Sequence, residues 1–92
     1  MGRYDWDPKK EGTNIRLHGI SFLEAETVVD NPLADSVSDL AHSSVEERCR
    51  TIGWSDRGRL LVVVTSEGGP RPRIISARRA TKRECDAYPR RR

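Results

Sequence analysis

Leu60-Leu61-Val62-Val63-Val64-Thr65 is the stretch that decides the architecture: a continuous apolar run ending in a β-branched residue. A short run of this kind predicts a central strand covered on both faces. Upstream of it, Ser55-Asp56-Arg57-Gly58 predicts a turn, and Glu47–Trp54 alternates in the strand period. Arg48, Arg50, Ile52 and Trp54 share one face of that segment, with Cys49 and Thr51 on the other. Downstream, Gly68-Gly69-Pro70 predicts a second turn and Arg73–Ala77 a further strand. Strict alternation puts Ile74 and Ser76 on one face of it and Ile75 and Ala77 on the other. These three segments stand at hairpin spacing, so the sheet is antiparallel. Leu33–Val37 is a candidate fourth strand, followed by a polar loop over Asp39–Ser44.

The N-terminal third reads as helical. Asp7-Pro8 is a helix start, because Asp caps well and Pro fits the first helical position. That helix runs to about Leu17 or His18, and Gly19 supplies a left-handed stop. Ile15 is its clearest core candidate. Ser21-Phe22-Leu23-Glu24 has the form of a capping box, and Phe22, Ala25, Val28 and Val29 follow as one apolar stripe. Asn31-Pro32 ends this second helix, since the residue before Pro resists the helical region. Tyr4–Trp6 reads as a short entry strand. At the other end, Thr81-Lys82-Arg83-Glu84 is a second capping box and opens a short helix that stops before Pro89. The expected fold class is therefore α+β: a small antiparallel sheet of three to four strands, two N-terminal helices and one short C-terminal helix. All 92 residues form one domain, with Arg90-Arg91-Arg92 expected to fray.

Composition narrows the function. A chain of 92 residues, 34% charged and 35% apolar, has a small core and no room for a large buried cofactor site. It has no apolar run near the ~18–20 residues of a membrane span and no apolar signal core, so a cytosolic protein is expected. Cys49 and Cys85 are too few for a metal cluster or disulfide scaffold and read as free thiols. Neither a cofactor nor a metal is expected. Net charge is only +3, but it is unevenly spread. Residues 24–47 hold seven acids and no Lys or Arg, whereas residues 71–92 hold nine Lys/Arg against Glu84 and Asp86. A basic third beside an acidic third suggests a polyanion partner, or two blocks that pair with each other.

No catalytic constellation is self-evident, and the chemistry concentrates around the last strand and helix. Arg78, Arg79, Lys82, Arg83, Glu84 and Tyr88 fall within eleven residues. Guanidinium forks match phosphate oxygens, and a preorganised Arg stabilises the extra charge of a pentavalent phosphate. Glu84 and Tyr88 stand four apart and suit a base and an acid. Equally, Glu84 is the capping-box acid and Tyr88 closes the core edge. Trp54 beside Arg50 suits base stacking, or else covers the sheet beneath a helix. His18 sits where an imidazolium caps a helix C-terminus, or serves in proton transfer. His42 reads as a solvated loop residue.

Several strings carry a family likeness. Asp7-Pro8-Lys9 with Asn14-Ile15-Arg16-Leu17-His18-Gly19-Ile20-Ser21-Phe22-Leu23-Glu24-Ala25, then Asp30-Asn31-Pro32-Leu33, resembles the start of the BrnT toxin family. Glu47-Arg48-Cys49-Arg50-Thr51-Ile52-Gly53 and Arg73-Ile74-Ile75-Ser76-Ala77-Arg78-Arg79-Ala80-Thr81, with Glu84 and Tyr88, follow in the family's order and spacing. The chain departs from the pattern at Leu17, where the family has Lys, and at Thr65-Ser66-Glu67-Gly68. The resemblance implies a RelE-like fold and a type II toxin–antitoxin ribonuclease that depresses translation and growth. It implies neutralisation by a BrnA-like antitoxin, two toxins around an antitoxin dimer, and operator DNA bound through the antitoxin alone. On that footing RNA cleavage is metal-independent. Arg78 is the first choice for transition-state stabilisation, with Arg50, Arg79 and Arg83 on phosphates and Lys82 and Trp54 as further RNA contacts. Glu47, Glu84, His18 and Tyr88 are the candidates for proton transfer. Two other readings stand beside this one: a non-catalytic module that binds an antitoxin or nucleic acid on a basic sheet, and, more weakly, a DNA-binding regulator.

Overall fold

The computed structural model describes residues 4–38 and 47–88. Two helices, α1 (Pro8–His18) and α2 (Phe22–Val29), precede four strands, β1 (Asp35–Ser38), β2 (Arg48–Trp54), β3 (Leu60–Ser66) and β4 (Arg73–Arg79), and a last helix, α3 (Lys82–Ala87). The strands form one antiparallel sheet in the order β1-β2-β3-β4. α1 lies against β4, and α2 spans β2, β3 and β4. This is the expected α+β arrangement with the full four strands. The loop expected over Asp39–Ser44, His42 within it, and the frayed tail lie outside the described residues.

Local chemistry accounts for the helix ends. The Asp7 carboxylate accepts from Lys9 N–H at 2.9 Å, and Gly19 closes α1 in the left-handed region at φ 70°. Ser21 caps α2 by accepting from Glu24 N–H, but the box expected there is incomplete. Glu24 turns inward instead, to Arg59 and Ser55, because a guanidinium within reach outbids a backbone N–H for a buried carboxylate. The vacated role on the α2 N-terminus is partly taken by Glu11, whose carboxylate accepts from Phe22 N–H at 2.9 Å.

The core lies between the helices and one sheet face: Ile20, Phe22, Ala25, Val28, Leu61, Val63, Ile74 and Ala77. Trp6 meets Phe22 edge-on, with ring centroids 6.1 Å apart. Ile15 is not part of it. It is 46% exposed, and the α1 residue turned to the sheet is Asn14, 6% exposed. Asn14 Nδ2 donates to the carbonyls of Ile20 (2.9 Å) and Ala77 (2.8 Å), and its Oδ1 accepts from Ala77 N–H (3.1 Å). The amide thus fills the backbone groups that an edge strand leaves open. The start of that edge is filled by Asp5, whose N–H donates to the Pro72 carbonyl and whose carbonyl accepts from Ile74 N–H. The entry strand expected at Tyr4–Trp6 reduces to this single bridge.

β4 also departs from strict alternation. Ala77 pairs with Val63 and Ser76 with Val64, but Ile74 pairs with Thr65, so the register shifts between Val64 and Thr65. Ile75 is the extra residue of a β-bulge. Ile74 and Ala77 consequently both reach the core, instead of lying on opposite faces. Past the bulge, Ser76 and Arg78 keep the same face, opposite the helices.

Candidate active site

The sheet face turned away from α1 and α2 carries the candidate site. One rung of that face runs Asp35–Ile52–Val62–Arg78 across all four strands. At about 4.8 Å per strand, the rung is roughly 14 Å long between its outer Cα atoms. It has a carboxylate at one end, a guanidinium at the other and two apolar side chains between. A cavity of about 290 Å³ lies over it, lined by Asp35, Val37, Arg50, Ile52, Val62, Glu84, Ala87 and Tyr88.

The capping box of α3 aims Glu84 at this place. Thr81 Oγ accepts from Glu84 N–H at 3.2 Å, and Glu84 Oε1 accepts from Thr81 N–H at 2.8 Å. The carboxylate so fixed receives both terminal nitrogens of Arg78, Nη1 to Oε1 at 2.8 Å and Nη2 to Oε2 at 3.0 Å. A bidentate pair of this type locks the guanidinium plane. The Arg78 hydrogen bonds hold the Glu84 carboxyl down at about 2, against the opposing effect of burial. Glu84 is therefore ionised throughout the physiological range and a weak base, and its carboxylate fixes the Arg78 guanidinium. A guanidinium has five N–H donors. Glu84 takes two and the Arg79 carbonyl, at 3.3 Å, a third. The side chain is 38% exposed.

The other residues singled out in the sequence fall into two groups. Arg50 lines the cavity with Glu84 and Tyr88. The Tyr88 hydroxyl donates to the Leu33 carbonyl at 2.8 Å, so its proton is already engaged and the ring serves as wall. Lys82 and Arg83 are exposed on α3, with Lys82 3.5 Å from Asp86. Arg79 is exposed opposite Leu61, which puts it on the helix side of the sheet, away from Arg78. Trp54 shares the face of Arg50 but sits at the end of β2, opposite Leu60, and does not line the cavity. Glu47 precedes β2, five residues and so about 16 Å along the strand from Ile52. His18 lines a different groove, between α1 and β4. Sequence reasoning missed Asp35. Its only signal there was membership of an acidic block, and the pairing of β1 with β2 is what brings it to the cavity.

Among the described residues, the acidic block does not pair wholesale with the basic one. Glu24 is bound by Arg59, and Arg78 and Lys82 find their acids within their own segment. Arg50, Arg79 and Arg83 remain exposed on the surface.

Comparisons with known proteins bear on the family and the fold. Residues 6–84 match the family model described as ribonuclease toxin, BrnT, of type II toxin-antitoxin system. The structure is similar to the crystal structure of the Brucella abortus ribonuclease toxin BrnT, with a TM-score of 0.66, covering 89% of this chain and 100% of that one. At 24% sequence identity the likeness establishes the fold. No curated protein matches the sequence.

Proposed function

This chain belongs to the BrnT family of ribonuclease toxins of type II toxin–antitoxin systems, and from that premise we propose that it cleaves RNA on the open sheet face, at Arg78. The observation that carries this reading is the guanidinium held bidentately by Glu84 at one end of a rung whose two middle side chains are apolar. A nucleotide lying across Ile52 and Val62 has its phosphate at Arg78. The adjacent 2′-oxygen, giving up its proton, attacks phosphorus and the bond to the 5′-oxygen breaks; the leaving oxygen takes a proton from water, so the products are a 2′,3′-cyclic phosphate and a 5′-hydroxyl. Charge that develops on the phosphoryl oxygens meets a cation already in place, with little reorganisation to be made at the moment of reaction. This supplies the stabilisation that a metal ion provides in other nucleases, so the reaction proceeds without one. Arg50 contributes a second positive charge to the cavity. Asp35 is the second carboxylate that lines the cavity, and in this reading it takes the 2′-hydroxyl proton. Glu84 positions Arg78.

Cleavage of message by such an enzyme inhibits translation and growth, and a BrnA-like antitoxin neutralises it by direct binding. Two toxins assemble on an antitoxin dimer, which also carries the operator-binding part. The cytoplasm is the compartment where these partners meet. No described helix is long and apolar enough to cross a membrane.

The test is purified protein with a defined single-stranded RNA in excess EDTA, read on a sequencing gel beside Arg78→Ala. Discrete cleavage that the variant loses by ~100-fold or more, the scale of removing one transition-state donor, is the expected result. Intact RNA at stoichiometric enzyme, with RNA mobility still shifted, replaces the nuclease by a binding module. Cleavage abolished by EDTA refutes metal independence.

A further inference from the structure

A second groove, of about 330 Å³, runs between α1 and the outer edge of β4. Lys9, Lys10, Leu17 and His18 line it from the helix, Ile75 and Ser76 from the strand. Lys10, Leu17 and His18 fall at helical spacing, so one stripe of α1 forms the wall. The groove is rigid, because Asn14 ties that stripe to Ala77 through two hydrogen bonds. It is also cationic. Its lining holds Lys9 and Lys10 and no acid, while the nearby carboxylates of Asp7 and Glu11 accept from Lys9 N–H and Phe22 N–H. Among the described residues neither lysine is in an ion pair, and both are exposed. Leu17, 71% exposed, adds apolar surface beside the cations. Lys10 also borders a small adjoining hollow with Asp7, Arg48 and Arg73. The groove lies near the site already described along β4, since its Ser76 stands two residues before Arg78 on the same face.

We infer that this groove is a second RNA site, which holds the phosphodiester backbone of the strand where it leaves Arg78 and crosses the β4 edge. Lys9 and Lys10 neutralise phosphates there, and Leu17 and Ile75 carry the apolar face of a ribose or base. RNA is favoured over an acidic protein segment because the groove lies two residues along β4 from Arg78 and sets cations beside apolar surface, as a single strand requires. The inference rests on the ribonuclease reading.

The experiment is binding of a fluorescent single-stranded RNA, with the 2′-hydroxyls at the target replaced by 2′-O-methyl groups, measured by anisotropy from 50 to 200 mM salt. Four proteins are compared: wild type, Lys9→Ala/Lys10→Ala, Arg16→Ala/Arg57→Ala and Arg78→Ala. Both double variants remove two exposed charges, and Ala keeps the helix. Each phosphate contact on a single strand contributes about −0.7 to the slope of log affinity against log salt. The lysine double variant is therefore expected to flatten that slope by about 1.4, so that its loss of affinity over this range is about sevenfold smaller. The Arg16/Arg57 control should leave the slope nearly unchanged. Equal slopes for both double variants overturn the groove while leaving cleavage at Arg78 standing. Weakened antitoxin binding with an unchanged RNA slope overturns it too and assigns the surface to the protein partner. No RNA binding by the wild type removes both the groove and the ribonuclease reading.

Discussion

Asn14→Ala and Ile15→Ala test the packing of α1 on the sheet, because adjacent residues are expected to behave in opposite ways. Asn14→Ala deletes three hydrogen bonds, from Nδ2 to Ile20 and Ala77 and from Ala77 N–H to Oδ1. Each neutral bond contributes about 1 kcal/mol net, and a buried group left without a partner costs about 1–3 kcal/mol. Ala recovers roughly 0.5 kcal/mol of helix propensity. The expected loss is about 3 kcal/mol, a large share of the ~5–15 kcal/mol that holds a domain folded. Ile15, 46% exposed, gives up only part of an apolar side chain, and the same propensity gain offsets it, leaving about 1 kcal/mol or less. In urea, with a slope of ~1–2 kcal/mol per M, the Asn14→Ala midpoint should fall by roughly 2 M and the Ile15→Ala midpoint by well under 1 M. Asn14→Asp should be at least as damaging as Asn14→Ala, because it turns an acceptor on two carbonyl oxygens. Equal shifts for Asn14→Ala and Ile15→Ala, or a larger one for Ile15→Ala, would refute the account of α1 docking through a polar clamp.

Other perturbations probe the rest of the fold and the site. Gly53→Ala places a methyl 2.7 Å from Ala34 Cβ and 3.2 Å from Ala34 Cα; the resulting overpacking should cost ~1–3 kcal/mol by chemical denaturation. Glu24→Ala removes a side chain bound by Ser55 and Arg59 under α2 and should lower the melting temperature by about 10 °C or more. The Arg59 hydrogen bonds hold the Glu24 carboxyl below its ordinary value, so its contribution is full at neutral pH and fades in acid. For Glu84, held at about 2 against an ordinary value of 4.5, the stabilisation is full above 4.5 and is lost as pH falls from there through about 2. The melting-temperature gap between wild type and Glu84→Gln should accordingly be flat from pH 7 to about 5 and shrink toward pH 2; a gap that widens in acid would contradict the pairing. Glu84→Gln should also slow RNA cleavage less than Arg78→Ala and leave its pH profile near neutrality unchanged, as expected of a residue that orients the guanidinium and carries no proton.

Much of the architecture was legible because it is written in local terms. Asp7-Pro8, Gly19, Ser21, Thr81 and Asn31-Pro32 mark helix ends through interactions spanning two to four residues, and Leu60–Thr65 marks the central strand by its unbroken apolarity. The open-face placement of Arg50 and of Arg78 followed from alternation. What alternation cannot register is one extra residue, so the bulge at Ile75 moved Ile74 into the core. Nor can a hydrophobicity count find Asn14, a polar residue buried because an edge strand needs its backbone groups satisfied.

The division between sequence and tertiary structure follows the range of the interactions. Capping, turn chemistry and periodicity act over a few residues, and they alone determined the element order, the α+β class and the concentration of cations in residues 71–92. Which of those cations share a site is a matter of strand register, a contact between residues far apart in the chain. Only the pairing of β1, β2, β3 and β4 set Asp35 and Arg78 at the two ends of one rung, and separated Glu47 and His18 from it. The environment of Glu84 was likewise set in three dimensions, where Arg78 came within reach of both carboxylate oxygens and holds the carboxyl well below its ordinary value.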